Sequence, residues 1–229
     1  MRYISKTSPP DFFAESVRNY DSDTKWKALR NQKPKLKQYI LENEQKYLCA
    51  YCEIRTDMDN SHIEHIKPQS DQKNRFDYDN LIVSCNGKQC VLSDNTEDYD
   101  GDIHSCGHKK DDVFDETLFI SPVKEQKAAD FFHFDKENGK ILPNPGFSEQ
   151  HQKRASYTII LLNLDNNRLN KYRLDARKAL EKEAGKLLKL QGAEFTKQKI
   201  KSVLSSDDSV PKLEPFITFL RFCFKTILK

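Results

Sequence analysis

The sequence lacks the features that would direct it to a membrane or to the cell exterior. The chain of 229 residues has no long apolar run, and a membrane-spanning helix needs about 20 predominantly apolar residues. Its first residues, Met1-Arg2-Tyr3-Ile4-Ser5-Lys6, lack the apolar stretch of a secretory signal. We therefore expect a cytoplasmic protein with no membrane partner.

A strong charge imbalance and an internal repeat are also lacking. The net charge of +3 gives little information about nucleic-acid binding. The charges are nevertheless unevenly distributed, because residues 94–116 carry nine carboxylates against two lysines, whereas residues 149–201 carry thirteen Lys or Arg against six carboxylates. The basic segment fits either a surface that follows a phosphate backbone or the solvated face of helices.

Cysteine, by contrast, is concentrated in one part of the chain. In a reducing compartment such clustering favours metal binding over disulfides. Cys49 and Cys52 are separated by two residues, which lets both thiolates bind one tetrahedral zinc ion. We predict Cys85 and Cys106 as the second pair, with Cys90 as the alternative fourth ligand. Four thiolates leave no open position for water, so this zinc is expected to be structural.

Local patterns predict helices and short strands in alternation. A helix is expected from residue 34 towards Cys49, short strands over 61–66 and 81–83, and a hairpin over 131–142 with an Asn-Gly turn. Residues 86–105 have the polar, aperiodic composition of an inserted loop. A long amphipathic helix is predicted from Asn167. The last predicted helix, over 211–228, has a broad apolar face that fits docking on the core or on a protein partner.

A second set of side chains suits phosphodiester hydrolysis. A divalent ion stabilises charge on phosphoryl oxygens, and a neutral imidazole can take a proton from water. Glu64 can bind such an ion, His65 can be the base, His108 can complete the metal site, and Asn80 can fix the loop. Because neighbouring strand residues point to opposite faces, Glu64 and His65 share a site only at a strand end, at a bulge, or by straddling the phosphate. His62 shares a face with Glu64 and is an alternative ligand.

Together these motifs resemble an HNH endonuclease. They are Cys49-Ala50-Tyr51-Cys52, Ile63-Glu64-His65-Ile66-Lys67-Pro68, Asn80-Leu81, Cys85 and Cys106-Gly107-His108-Lys109-Lys110. More narrowly, the chain is similar to the PtuB-like HNH nucleases of Septu-type bacterial anti-phage systems, which are also found beside retrons. This similarity covers most of the chain, from Tyr3-Ile4-Ser5-Lys6 to residues 158–164 and on to Leu169 and Arg173.

The resemblance implies an α+β protein in which a zinc-stabilised ββα-metal core is embedded among helices. We expect this core at residues 49–115, with an acidic insertion at 86–105. Residues 1–48 would form an N-terminal helical segment that packs on the core, and residues 116–229 a mainly helical C-terminal region.

The resemblance also implies a role for each site residue. His65 would be the general base, Asn80 would orient the loop, and Glu64 and His108 would bind a catalytic Mg²⁺ or Mn²⁺ ion. The structural Zn²⁺ would be held by Cys49, Cys52, Cys85 and Cys106. Because residues 86–105 separate the last two zinc ligands, His104 is a rival to His108.

The implied function is metal-dependent cleavage of nucleic acid in anti-phage defence. DNA is the favoured substrate, and RNA, including tRNA, is the alternative. The implied partner is an ABC-type (PtuA-like) ATPase that restrains the nuclease, and homo-oligomers are compatible with the sequence. The alternative function is a catalytically inactive, zinc-stabilised module that binds nucleic acid or serves as a scaffold.

Overall fold

The computed structural model describes residues 1–87, 104–205 and 210–228. Helices and two small antiparallel sheets alternate in these ranges, as the sequence predicts for an α+β protein. The strands are β1 (Ser61–His65), β2 (Leu81–Cys85), β3 (Phe132–Phe134) and β4 (Ile141–Pro143). The helices are α1 (Asp11–Val17), α2 (Lys33–Ile40), α3 (Gly107–Lys110), α4 (Glu149–Leu161), α5 (Asn167–Leu204), α6 (Ile217–Cys223) and α7 (Lys225–Leu228).

The β1–β2 hairpin lies between two hydrophobic clusters. Its antiparallel register pairs Ser61 with Cys85 and His65 with Leu81. Every residue of β2 is buried, and its side chains alternate between the two faces until the strand ends at Cys85. Leu81 and Val83 join an N-terminal cluster, whereas Ile82 and Cys85 join a larger central cluster. The hairpin therefore has no solvent-exposed face along β2, and each of its sides has its own core.

The N-terminal cluster is built by α1, α2 and the segment between them. Its buried members are Phe13, Trp26, Leu29, Leu36, Ile40, Leu41, Tyr78, Leu81 and Val83. Pro34 lies in the first turn of α2, where its missing N–H has no helical partner to lose. The predicted helix continues only through a π-helical turn, Leu41–Gln45. Lys46 and Tyr47 then have positive φ angles of 52° and 61°, which turn the chain towards the first cysteines.

Sequence signals also place the start of the C-terminal helices. The Asn166 side chain caps α5 by accepting a hydrogen bond from the N–H of Leu169 at 2.9 Å. The long helix predicted from Asn167 is present, but Gly192 interrupts it with a φ of 80° and a ψ of 175°. The predicted hairpin is formed by β3 and β4, and Gly139 in its turn has a φ of 73°.

The prediction of one helix over residues 211–228 is wrong. The segment contains α6 and α7 instead, because Phe216 before α6 is left-handed, with a φ of 55°, and Phe224 ends that helix. The apolar face of α6 packs on the core, where the rings of Phe219 and Phe222 lie 5.4 and 5.6 Å from that of Phe134. Of the two interpretations of this face, docking on the core is the one observed.

Three further predictions concern a membrane span, the domain boundaries and the acidic insertion. No helix in the described part of the chain combines the length and apolarity needed to cross a bilayer. The central cluster draws residues from all three predicted regions, and the boundaries after residues 48 and 115 stay predictions. Most of the predicted insertion, including Cys90, lies in 88–103, outside the described residues.

Candidate metal centres and active site

Four cysteines converge beside the hairpin. The sulfur atoms of Cys49, Cys52, Cys85 and Cys106 all lie within 4.8 Å of one another and are buried. The Sγ atoms of Cys52 and Cys85 are 3.8 Å apart, and a tetrahedral zinc ion with bonds of about 2.3 Å separates its sulfurs by about 3.8 Å. The four thiols can therefore hold one tetrahedral metal ion.

The backbone around these cysteines is arranged to aim the sulfurs inward. The first pair lies in a turn in which the N–H of Glu53 bonds to the carbonyl of Cys49 at 3.1 Å. Cys106 has a φ of 60° and a ψ of −138°, a conformation that costs a non-glycine residue on the order of 1–3 kcal/mol. Its N–H is held by the carbonyl of Leu162 at 2.8 Å. The surrounding structure thus imposes a strained backbone at Cys106, and this conformation brings the Cys106 sulfur to the other three.

The thiols differ in their pKa values: burial raises the pKa of Cys52 and of Cys106 well above the usual value, whereas that of Cys49 is lowered. Burial raises the pKa of Cys49, but hydrogen bonds from the Cys106, Cys52 and Cys85 thiols outweigh it, so the pKa of Cys49 lies well below its usual value. The backbone N–H of Cys85 also donates to the Cys49 sulfur at 3.4 Å. Thiolates are the form that binds metal, so the donor set suits zinc.

Glu64 lies on the same side of the hairpin as the thiols. Its Oε1 atom is 3.1 Å from the Lys110 ammonium and 3.5 Å from the Tyr51 hydroxyl. Its Oε2 atom is 3.5 Å from Nε2 of His62. Lys110 is only 1% exposed, so its ion pair with Glu64 is buried. Each oxygen of this carboxylate therefore has a different neighbour.

His108 joins this group through α3. Its ring centroid lies 4.6 Å from that of His62, at an angle of 63°. Burial lowers the pKa of His62, but the Glu64 carboxylate and the Asn86 amide raise it more, and the net shift is upward. By distance alone, the metal-binding set within the described ranges is the four cysteines. His62, Glu64 and His108 are neighbours of one another rather than a closed ligand set.

The rival ligand, His104, is placed by a different contact. Its backbone carbonyl accepts a hydrogen bond from the Asn163 side chain at 2.9 Å. The contacts of Glu64 described above involve His62, Lys110 and Tyr51. The choice between His104 and His108 as the last metal ligand stays a prediction.

His65 ends β1 and projects from the opposite face to Glu64. Its ring packs edge-on against Trp26, with centroids 4.5 Å apart and an interplanar angle of 82°. Its Nε2 atom lies 3.0 Å from the Arg75 carbonyl. A carbonyl oxygen only accepts hydrogen bonds, so Nε2 carries the proton and Nδ1 carries the lone pair. Burial lowers the pKa of His65, although the Arg75 hydrogen bond and the Glu64 charge act in the opposite direction. The net shift is downward and favours the neutral ring.

Arg75 holds the carbonyl that orients His65. Its guanidinium is buried and donates to the carbonyls of Ser22 and Thr24 at 3.0 and 2.7 Å, and to that of Gln69 at 3.0 Å. These bonds tie the segment before Trp26 to the loop between β1 and β2. Arg75 thus holds its own carbonyl next to the His65 ring and also anchors the segment that leads to Trp26.

Asn80 braces the same loop from its other end. Its side-chain oxygen accepts a hydrogen bond from the N–H of Lys67 at 2.7 Å. Its Nδ2 atom donates to the carbonyls of Lys67 and Asn74 at 3.1 and 2.9 Å. The amide therefore spans the loop immediately after His65 and positions it entirely through main-chain atoms.

An open cleft of about 450 Å³ is lined in part by Trp26 and Arg75, which both contact the His65 ring. Its lining residues are Lys25, Trp26, Lys27, Gln69, Ser70, Arg75 and Asp112. The Lys33 ammonium lies 4.9 Å from the centre of the Trp26 ring. Cations thus outnumber the single carboxylate of this lining, which suits a phosphate backbone.

Several residues of the site were not assigned a role from the sequence. Trp26 and Arg75 orient His65 although they lie far from it in the chain, and Tyr51 and Lys110 contact Glu64. Tyr51 and Lys110 lie inside the cysteine motifs, so the motif positions themselves could have indicated them. Trp26 is the only tryptophan, and lysines flank it. That composition is a weak signal of a nucleic-acid contact.

Residues 49–90 match the family model described as HNH endonuclease. This match contains the first three cysteines of the thiol group together with Glu64, His65 and Asn80. The site just described thus lies in a region that matches the HNH endonucleases, a class of enzymes that cleave phosphodiester bonds.

Two relatives sharpen this identification. The chain is 29% identical over 206 residues to "Retron Ec83 putative HNH endonuclease" of Escherichia coli, which covers 76% of this chain and 78% of the relative. It is 30% identical over 147 residues to "Retron Vc95 putative HNH endonuclease" of Vibrio cholerae, covering 62% of each chain. The expected similarity to HNH endonucleases of retrons is confirmed.

Proposed function

We propose that the protein hydrolyses phosphodiester bonds of nucleic acid in a metal-dependent reaction at the end of β1. The observation that carries this proposal is the fixed imidazole of His65. Its Nε2 atom is tied to the Arg75 carbonyl, its ring is held against Trp26, and both neighbours line a cationic cleft. A neutral imidazole held in one tautomer suits a general base.

In this proposal β1, β2 and α3 form the ββα-metal core of the enzyme. The four cysteines hold a structural Zn²⁺ ion that fixes α3 against the hairpin. The close approach of their sulfurs and the negative charge favoured on Cys49 support this assignment. Since Cys106 directly precedes α3, the zinc group would also fix the position of His108.

Each side chain then has a defined part in hydrolysis. His65 accepts a proton from the attacking water at Nδ1, while Asn80 keeps the adjoining loop in place. Glu64 and His108 hold a Mg²⁺ or Mn²⁺ ion, which when bound stabilises charge on the phosphoryl and leaving oxygens. Because His65 is the last residue of β1, a phosphate at this strand end can be straddled by Glu64 and His65.

The cleft supplies the substrate-binding surface of this proposal. Lys25 and Lys27 flank Trp26 and are exposed, so a phosphate backbone can meet the two lysines, while the buried indole anchors the segment that carries them. Neither lysine reads a base edge by its charge alone. DNA is therefore proposed as the substrate on the family resemblance, with RNA, including tRNA, as the alternative outcome of the test.

The biological setting is proposed from the relatives. Both are named as retron HNH endonucleases, and the sequence resembles Septu-type nucleases. We infer a cytoplasmic effector of anti-phage defence that is restrained by an ABC-type ATPase partner. A homo-oligomer within that complex is part of the same proposal.

The test is a cleavage assay on plasmid DNA and on total RNA, with Mg²⁺ or Mn²⁺ and with EDTA. We expect the wild type to cleave in the presence of the divalent ion, and His65→Ala to be slower by about 10²- to 10⁴-fold, the usual contribution of a general base. His151→Ala is the matched control, because His151 is exposed and lies on α4.

The two substrates and the binding step separate the alternatives. Cleavage of only one substrate decides between DNA and RNA. A wild-type protein that binds duplex DNA but cleaves neither substrate, with the ATPase partner present, would instead support the inactive binding module. Full cleavage by His65→Ala would contradict the assignment of the base.

A further inference from the structure

The strand position of His62 gives it a geometry that the proposed function does not use. His62 and Glu64 are two residues apart on β1 and share a face. Nε2 of His62 lies 3.5 Å from Oε2 of Glu64. The other carboxylate oxygen, Oε1, is paired with Lys110 at 3.1 Å. The oxygen nearest His62 is therefore the one that Lys110 leaves available.

Asn86 fixes the tautomer of the His62 ring. The Nδ1 atom of His62 is 3.3 Å from the side-chain oxygen of Asn86. Because an amide oxygen only accepts hydrogen bonds, a neutral His62 ring must carry its proton on Nδ1 and its lone pair on Nε2. The lone pair then faces a carboxylate oxygen. Either a proton on Nε2 or a metal ion bound by both atoms can stabilise this contact, and a metal ion would displace that proton.

Gly107 keeps the space around these two atoms open. A Cβ atom at this position would lie 2.6 Å from Oε2 of Glu64 and 2.9 Å from Nε2 of His62. A side chain at position 107 would therefore displace the Glu64 carboxylate or the His62 ring, so glycine keeps the space beside the pair open. His108, the next residue, places its ring 4.6 Å from that of His62. The start of α3 thus accommodates the pair on β1.

We propose that His62 binds the divalent ion directly, together with Oε2 of Glu64, and that Asn86 is its positioning residue. This inference rests on the proposed function, because the ion is the one that the hydrolysis uses. A metal-bound histidine commonly donates its second ring N–H to a carbonyl or carboxylate, as His62 does to Asn86. Later transition metals favour an imidazole ligand most, Mn²⁺ accepts one, and Mg²⁺ is bound almost entirely through oxygen ligands. The site would accordingly prefer Mn²⁺ to Mg²⁺.

The experiment measures metal affinity rather than activity. The full-length protein, with its thiol site loaded with zinc, is titrated with Mn²⁺ and separately with Mg²⁺ by calorimetry, and bound Mn²⁺ is checked by electron paramagnetic resonance. The variants are His62→Ala, Asn86→Ala and the remote control His151→Ala. Zinc content and circular dichroism verify that each variant is folded.

We expect His62→Ala to weaken Mn²⁺ binding by about 100-fold or more, since loss of an outer partner alone weakens binding by about 10- to 100-fold. Asn86→Ala, which keeps His62, should fall in that lower range. Mg²⁺ affinity should change much less than Mn²⁺ affinity in both variants. His151→Ala should bind both ions as the wild type does.

Two results would overturn the inference, and they differ from each other. If the wild type binds Mn²⁺ and His62→Ala binds it equally well, His62 is not a ligand although the proposed reaction stands. If the wild type binds neither ion, the inference fails together with the metal-dependent reaction. Should His62→Ala lose its fold, Asn86→Ala decides, because unchanged Mn²⁺ affinity in that variant removes the positioning role and the ligand geometry on which it depends.

Discussion

On one face of the β1–β2 hairpin, Glu64 meets the Lys110 ammonium and the His62 ring on the side of a buried thiol cluster. On the other face, His65 meets the Trp26 ring and the Arg75 carbonyl. The first face is organised by charged and metal-binding atoms. The second is organised by an aromatic contact and a main-chain hydrogen bond.

This difference indicates how one short strand can serve two tasks. Neighbouring residues on a strand point to opposite faces, so Glu64 and His65 are tuned by separate surroundings. Lys110 supplies charge next to Glu64, while burial and the Arg75 carbonyl set the protonation and tautomer of His65. Changes on one face should therefore leave the other largely intact, and the following variants test that separation.

The largest effect on stability is expected from Cys106→Ser, which removes one of the four sulfurs of the thiol group. Structural zinc contributes roughly 10–16 kcal/mol in zinc-finger peptides, and a chain of this size loses about 2–4 °C in Tm per kcal/mol. Loss of even a third of that contribution would lower Tm by about 10 °C. Zinc content and thermal unfolding are measured on the same preparation.

Cys223→Ser is the control for this variant, because Cys223 is half-buried and lies outside the thiol group. It should retain its zinc and its Tm. If Cys106→Ser retained zinc and unfolded at the wild-type temperature, the thiol group would not be a metal site.

The next largest effect is expected from Glu64→Gln. The substitution leaves Lys110 buried without its counter-charge, and breaking a buried ion pair destabilises a protein by about 3–5 kcal/mol. The double variant Glu64→Gln/Lys110→Met should recover much of this stability without recovering cleavage. Denaturant unfolding and plasmid cleavage are the two measurements.

Glu44→Gln offers a matched comparison. Glu44 is also buried and pairs with Lys6 at 2.6 Å, but it lies outside the site. This variant should lose stability to a similar extent and still cleave in proportion to its folded fraction. Equal loss of cleavage in the two glutamine variants would show that stability, rather than chemistry, explains the effect at Glu64.

A smaller effect is expected from Asn80→Ala, which loosens the loop on the His65 side. The loss of its hydrogen bonds leaves main-chain groups unpaired, with a cost of about 1–3 kcal/mol. Because the loop carries the Arg75 carbonyl, cleavage should slow by about 10- to 100-fold through misplacement of the base. Unfolding and cleavage rates of the variant check both parts.

Asn144→Ala separates the two effects of this change. The Asn144 side chain also braces a loop, through the Asp130 carbonyl and the N–H of Gly146, away from the hairpin. Because these bonds are exposed to water, the variant should be destabilised less than Asn80→Ala, and it should cleave normally. A comparable slowing in both variants would argue against a specific role of Asn80 in orienting His65.

The sequence predicted those parts of this arrangement that depend on local spacing. The cysteine spacing and the flanking motif indicated the thiol group, and strand periodicity placed His62 with Glu64 and apart from His65. Caps and glycine turns located α5 and the β3–β4 hairpin. These features depend on residues close together in the chain, where geometry follows from residue type.

The remaining parts depend on contacts between distant segments. Arg75 binds Ser22 and Thr24, and Trp26 reaches His65, although no periodic pattern relates these positions. The left-handed backbone at Cys106 and Phe216 is equally non-local, because neither residue type favours positive φ. Tertiary packing imposes these conformations, and sequence patterns therefore missed the cationic cleft and the break before α6.

The separation of the two faces is tested most directly by measuring Mn²⁺ affinity and cleavage rate on one preparation of His65→Ala. The account predicts Mn²⁺ affinity within about twofold of the wild type, while cleavage falls by about 10²- to 10⁴-fold, because only the base is removed. Parallel loss of metal binding and cleavage would contradict the separation, as would a cleavage rate that remains at the wild-type level.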